Sequence, residues 1–264
     1  MNYLGKTVWI TGAASGIGES LALEYSRRNA NIILSDRDED KLKEVVSRCE
    51  KLGGKAVFAP FDLEHTDEII QTTSRLLKEF PKIDILISNG GISQRSFAIE
   101  TPLKIDRKIM EINFFGAITL TKELLPSLIS KGGGKIAVTS SMTGKFGFPL
   151  RTSYCASKHA IQGYFEALRA ELYDKNVKVT IVSPGRIYTN ISMNAIDKDG
   201  KKYGIMDKGQ AKGMSAVKCA RKIIKALERN KKELWVGGSE IVMIYIRLYM
   251  SFLFHILARR IRPT

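Results

Sequence analysis

The chain has 264 residues, 44% of them apolar and 26% charged, which suits one large α/β domain with a full core and argues against a disordered or low-complexity protein. Forty-two Lys and Arg against 27 Asp and Glu leave a formal charge of +15, a field that draws anionic membrane, nucleic acid or an acidic partner. No nucleic-acid motif accompanies that charge, and the three cysteines and three histidines are too scattered for a metal site, so neither nucleic acid nor a metal is expected.

Val8-Trp9-Ile10 is an apolar, β-prone run that feeds into Thr11-Gly12-Ala13-Ala14-Ser15-Gly16-Ile17-Gly18, after which Leu21, Ala22 and Tyr25 mark a helix face. Strand, glycine turn and helix together let a phosphate approach the backbone at a helix N-terminus. A second strand ends on Asp36. An acid about 20 residues past the glycines can bond both ribose hydroxyls of NAD and repel a 2′-phosphate. Arg37, next along, is able instead to grip that phosphate. No Lys or Arg interrupts the glycine turn, so NAD is favoured over NADP. Asp36 also stands where it can cap a helix expected over residues 38–49.

Strands are expected at 8–11, 32–36, 56–61, 83–88, 135–140 and 178–183, with a short last one at 233–237, and helical patterns fill the intervals. Such alternation implies a doubly wound, Rossmann-type parallel sheet with helices on both faces, occupying residues 1–238. The three cysteines, Cys49, Cys155 and Cys219, are expected to be reduced thiols in a cytoplasmic protein. No signal peptide or N-terminal anchor is expected, because residues 1–6 lead straight into the first strand.

Tyr154 and Lys158 fall four residues apart, with Ser141 thirteen residues before the tyrosine. On a helix, i and i+4 share a face, so Lys158 is expected to hold its charge near the phenol oxygen. A neighbouring cation favours the phenolate, and the tyrosine pKa is expected to fall from its usual value of ~10.

With those residues in place, the chain resembles the short-chain dehydrogenase/reductase family over nearly its whole length, and most closely the branch of 11β-hydroxysteroid dehydrogenases and related lipid reductases. The resemblance rests on the Thr11–Gly18 turn, Asp62, Asn89-Gly90-Gly91, Asn113, Ser141, the Tyr154/Lys158 pair, and Pro184-Gly185 followed by Thr189. It implies a catalytic set of Asn113, Ser141, Tyr154 and Lys158. It also implies a cofactor surface of Gly12, Ser15, Gly16, Ile17, Gly18, Asp36, Arg37, Asp62, Leu63, Asn89, Gly91, Tyr154, Lys158, Pro184, Gly185, Ile187 and Thr189. In that family pattern Asn113 holds a water for Lys158. Ser88 and Gly90 depart from the family's Asn-Asn-Ala-Gly, touching the sheet more than the chemistry.

The expected activity is hydride transfer between a nicotinamide and a carbonyl or secondary alcohol, with a homodimer or homotetramer as the assembly. Met193, Ile196, Ile205 and Met206, in a lid-like stretch between Pro184 and Met214, together with Phe146, Phe148 and Leu150, suggest a hydrophobic substrate such as a steroid or retinoid. Two other functions compete: reduction of 3-oxoacyl groups on an acidic carrier, and a non-catalytic dinucleotide-binding scaffold at a membrane surface.

Twelve Lys or Arg against four acids lie between Ile196 and Lys232. Beyond Glu240 the sequence turns apolar over 241–261, broken every fourth residue by Arg247, Ser251, His255 and Arg259. One hydrophobic C-terminal helix within 239–264 is expected, and Arg247 near its middle argues against a membrane span. The expectation is peripheral membrane contact, with Arg259, Arg260 and Arg262 at the headgroups, or contact with a second subunit; burial on its own core is the plain alternative.

Overall fold

The computed structural model of the chain describes residues 2–260. Among these residues nine strands appear in chain order: β1 (Thr7–Thr11), β2 (Asn31–Ser35), β3 (Lys55–Phe58), β4 (Ile85–Ser88), β5 (Gly134–Thr139), β6 (Val177–Pro184), β7 (Ile187–Tyr188), β8 (Met214–Ser215) and β9 (Glu233–Val236). The helices are α1 (Gly16–Ser26), α2 (Glu39–Lys51), α3 (Thr66–Glu79), α4 (Leu103–Met110), α5 (Gly116–Ser130), α6 (Thr152–Glu171), α7 (Lys208–Ala211), α8 (Ala216–Glu228), α9 (Val242–Tyr249) and α10 (Ser251–Arg260). Seven strands form one sheet in the order β3-β2-β1-β4-β5-β6-β9, every pair parallel, and β7 pairs with β8 apart from it.

Parallel strands joined by crossover helices bury both faces, and the alternation of side chains decides which helices each face meets. In β1, Val8 and Ile10 point to the core shared with Leu21 and Tyr25 of α1, Leu42 and Val45 of α2, and Ile223 of α8. Trp9, between them, points the other way, into a core with Ile69 of α3, Leu120 and Leu124 of α5, and Phe165 of α6. The indole N–H of Trp9 is satisfied by the Ser35 hydroxyl at 2.9 Å. Strand order reverses between β1 and β4, and their C-terminal ends open the crevice where ligands of such sheets bind.

Two expectations change here. The cap of α2 is Asp38, whose carboxylate accepts from Lys41 N at 3.3 Å, and not Asp36. The apolar tail forms two helices rather than one, because Met250 leaves helical geometry (φ −136°, ψ 52°). Part of the tail is buried on the protein itself: Ile244 of α9 and Phe254 of α10 pack with Met142 and Phe146. Arg247 lies 5.6 Å over the Phe254 ring, which gives the mid-tail cation a partner inside the fold. The expected roles of Ile261 and Arg262, and of the Arg260 side chain, lie outside the described residues. No helix among the described residues is long and apolar enough to cross a membrane.

Candidate active site

A cavity of about 390 Å³ runs along the C-terminal ends of β1, β2, β4, β5 and β6. Every residue expected at the cofactor or catalytic surface lines it except Gly18 and Asn113, which lie behind the wall.

The nucleotide end is built largely from backbone. Gly12 has φ +66°, and a Cβ there would stand 2.7 Å from Gly90 Cα. A Cβ on Gly18 would meet the Gly12 carbonyl oxygen at 2.0 Å, so the first turn of α1 closes onto the loop only as glycine. Thr11 ties this loop to the next strand: its hydroxyl accepts from Asn89 N at 3.0 Å and Gly90 N at 3.1 Å. Asp36 closes the wall, with Oδ2 accepting from Ala14 N and Oδ1 from Asp38 N, both at 3.1 Å. Arg37 turns to Asp62 at 3.6 Å. The result is a cradle open to phosphate at a helix N-terminus with a carboxylate beyond it, which fits an adenine dinucleotide.

At the other end stand Ser141, Tyr154 and Lys158. The extended backbone of Ser141 follows β5, and its hydroxyl accepts from Thr143 N at 3.1 Å. Tyr154 and Lys158 rise from the first turns of α6. Lys158 Nζ donates to the Thr139 carbonyl at 2.9 Å and lies 5.8 Å from the centre of the Tyr154 ring. Burial, with no ion pair against it, pushes the Lys158 ammonium down to about 8.

The expected fall in the tyrosine pKa is reversed. Burial pushes the Tyr154 phenol above its usual range; the Ser141 hydroxyl, Arg151 and Arg95 pull it back in part. Desolvation outweighs the neighbouring charges. A phenol so held is protonated at neutral pH and poised as an acid.

Asn113 sits in a π turn, Glu111–Phe115, between α4 and α5. Its Nδ2 donates to Ile92 O at 2.9 Å and Ser157 Oγ at 3.0 Å, and its Oδ1 accepts from Ile92 N at 2.8 Å. Its amide is thus engaged with the loop after β4 and with α6, fixing the loop that carries Gly91 beside Lys158.

Arg95, Arg151 and Asp207 form a charge cluster at the cavity that sequence spacing does not expose. Arg95 donates from Nε to Asp207 Oδ1 at 3.3 Å and from Nη2 to Oδ2, and Arg151 Nη2 donates to the same Oδ2 at 2.7 Å. Both arginines line the cavity. More than a hundred residues separate Arg95 from Asp207, and no motif spans them.

The apolar residues expected under the substrate lie elsewhere. Phe146 and Phe148 stack edge-on, centroids 4.9 Å apart, beneath the C-terminal helices. Ile196 packs with Ile92, Ile105, Ile109 and Ile112. Met206 meets the Ser192 hydroxyl. The three cysteines are buried and free, and no cluster of three or more potential metal ligands exists among the described residues.

Residues 6–200 match the family model described as short chain dehydrogenase. The zebrafish (Danio rerio) dehydrogenase/reductase SDR family member 7B is 39% identical over 272 residues, covering 99% of this chain and 87% of that protein. The Drosophila melanogaster dehydrogenase/reductase SDR family protein 7-like is 40% identical over 262 residues, 97% of this chain and 80% of that protein. Among solved structures, a short chain dehydrogenase/reductase from Burkholderia phymatum in complex with NAD superposes with a TM-score of 0.85. It covers 100% of this chain and 98% of its own at 20% identity, a likeness of fold.

Proposed function

The chain belongs to the short-chain dehydrogenase family of nicotinamide-dependent oxidoreductases, and we propose that within it Tyr154 is the acid and base of hydride exchange with a carbonyl or secondary alcohol. The observation that carries this reading is the single cavity with a phosphate cradle and Asp36 at one end and Ser141, Tyr154 and Lys158 at the other.

When bound, the nicotinamide supplies or accepts the hydride. The glycine turn, Asp36, Asp62, Asn89 and the Pro184–Thr189 loop would hold the cofactor. Ser141 would orient the substrate oxygen and bond to its developing charge. Tyr154 would give that oxygen a proton in reduction and remove it in oxidation. Lys158, bonded to the Thr139 carbonyl, would return the proton to the phenol. NAD is the favoured cofactor: Asp36 and Arg37 both line the cavity, but the Arg37 charge is paired with Asp62.

For the substrate, we propose a ketone or alcohol on an apolar skeleton. Its support is the apolar C-terminal surface, which meets the catalytic end where Met142, the residue after Ser141, packs on Ile244 and Phe254. The exposed Tyr245, Leu248, Tyr249 and Phe252 of that surface would contact lipid or a second subunit.

The test is nicotinamide absorbance over a panel of lipid-like and small polar carbonyls, for the wild type and Tyr154→Phe. Tyr154→Phe should lose turnover about 10²- to 10⁴-fold with cofactor affinity kept. Equal activity of the two proteins would overturn the acid–base assignment. A preference for small sugars would overturn the apolar substrate.

A further inference from the structure

Asp207 directly precedes α7, without a side-chain capping bond, and belongs to the long segment between β7 and β8. It is 4% exposed, yet its carboxylate serves two arginines from different parts of the chain. Arg95 comes from the loop after β4. Its Nη1 donates to Ser93 Oγ at 2.9 Å and to the Gln94 carbonyl at 2.6 Å. Arg151 precedes α6, three residues before Tyr154, and its Nε is buried without a hydrogen-bond partner. The segment carrying Asp207 is stitched to the same loop by Arg95 N to Ile196 O and Ile196 N to Ser93 O, both 2.9 Å. Asp207 N itself donates to Ser192 Oγ at 3.3 Å.

Two guanidiniums and one carboxylate leave a single net positive charge, and both arginines line the cavity that Tyr154 lines. We propose that Asp207 is a positioning residue of the reaction: by bridging Arg95 and Arg151 it limits to one the charge that these two arginines present to the cavity at Tyr154, and fixes where that charge stands. Because Asp207 arrives on the segment over the cavity, the setting of the phenol depends on that segment being in place. The inference rests on Tyr154 as acid and base.

The other charged or titratable groups around the phenol are accounted for. On α6, Lys158 is turned to Thr139 O, and Cys155 is a buried thiol raised by desolvation. After β5, Ser141 faces the phenol. On α4, Asp106 accepts from the Ser153 hydroxyl. Lys202 lines the cavity on the same segment as Asp207. Lys158, 5.8 Å from the ring centre and with its ammonium pushed down to about 8, is neutral where the raised phenol titrates, so the arginine pair holds the remaining charge there.

The signs that follow are opposite for the two ends of the bridge. Arg151→Gln leaves a neutral Arg95–Asp207 pair, so the phenol should ionise at higher pH, by about one unit. Asp207→Asn leaves two unbalanced cations, so it should ionise at lower pH, by a similar amount. The double variant returns to one net charge and should come back toward the wild type. The readout is ultraviolet tyrosinate absorbance against pH, with and without saturating NAD, each protein measured against the same protein carrying Tyr154→Phe so that the other tyrosines cancel. No substrate is needed. Opposite shifts with recovery in the double variant support the proposal. Shifts of the same sign, or none, overturn it, because a merely structural role has no reason to reverse sign. Should Asp207→Asn not fold, Arg151→Gln alone decides: an upward shift supports the proposal and an unmoved titration overturns it. Full turnover by Tyr154→Phe would instead remove the acid–base reading and leave the measured charge effect standing, so the two failures are distinct.

Discussion

At the glycine turn, the cavity wall is built mainly of backbone from β1, the start of α1 and the loop after β4, with the carboxylates of Asp36 and Asp62 beside it; β2 and β4 flank β1 in the sheet. Around Tyr154, the wall consists of long side chains brought together from the β4 loop, the start of α6 and the segment before β8, with α9 and α10 packed behind it. The first region leaves almost no freedom, since added atoms meet backbone. The second is held by a buried charge cluster and an aromatic cluster, both of which can be altered one side chain at a time. Backbone walls make a site generic for a cofactor; side-chain walls make it particular to a reaction.

The largest effect expected from breaking this contrast is at Gly18. Gly18→Ala places a Cβ 2.0 Å from the Gly12 carbonyl oxygen, where nothing flexible can yield. Nicotinamide cofactor affinity should fall at least about a hundredfold by calorimetry, since the phosphate cradle depends on that approach. Wild-type affinity would mean that the turn relaxes and the cradle is not rigid.

Phe254→Ala should loosen the second region and spare the first. Removing a buried ring costs about 3 kcal/mol where the site cannot collapse. Here the loss should be concentrated in α9 and α10, read as faster hydrogen exchange of those helices, with cofactor affinity unchanged. A global loss of cofactor binding would show that the two regions are one cooperative unit.

Lys158 sharpens the comparison through pH. Its folded pKa, about 8, lies below the unfolded value of about 10.5, so between those values the unfolded chain binds more protons than the native protein. Stability from this group therefore rises with pH across that window, and below about pH 8 its buried ammonium costs on the order of 3 kcal/mol. Lys158→Met should melt higher than the wild type at pH 7, with the advantage gone above about pH 10.5, while turnover is lost. Reductive turnover of the wild type should decline as pH rises through about 8. A variant no more stable at pH 7 would mean that the ammonium has partners beyond the Thr139 carbonyl.

The smallest effect on stability is expected on the exposed tail. Phe252→Ser, at a residue 80% exposed, should change stability by less than about 0.5 kcal/mol. Vesicle flotation or self-association should weaken all the same. No change in either would remove the contact proposed for that surface.

The sequence and the fold agree most where chemistry is local. Val8–Ile10, the glycine turn and Asp36 lie within one strand–turn–helix–strand unit, so spacing alone places them together. Tyr154 and Lys158 share a helix face for the same reason. What spacing could not convey is desolvation: the helix register places Lys158 near the ring, but burial decides that the phenol rises and the ammonium falls. The Arg95–Asp207–Arg151 cluster was illegible because its members meet only through the tertiary fold. The tail misled because its polar residues recur every fourth position as one helix would demand, while the break at Met250 lets Ile244 and Phe254 both reach the core. Phe146 and Phe148 read as substrate-facing for want of any sign that the tail would cover them.

The most direct test of the account is a paired titration of the protein and of Asp36→Ala with NADH and NADPH, followed by nicotinamide fluorescence. The wild type should bind NADH more tightly, and Asp36→Ala should lose that preference by about tenfold or reverse it. Tighter NADPH binding by the wild type would make Arg37 the selector, and binding of neither would contradict the reading of the cavity as a dinucleotide site.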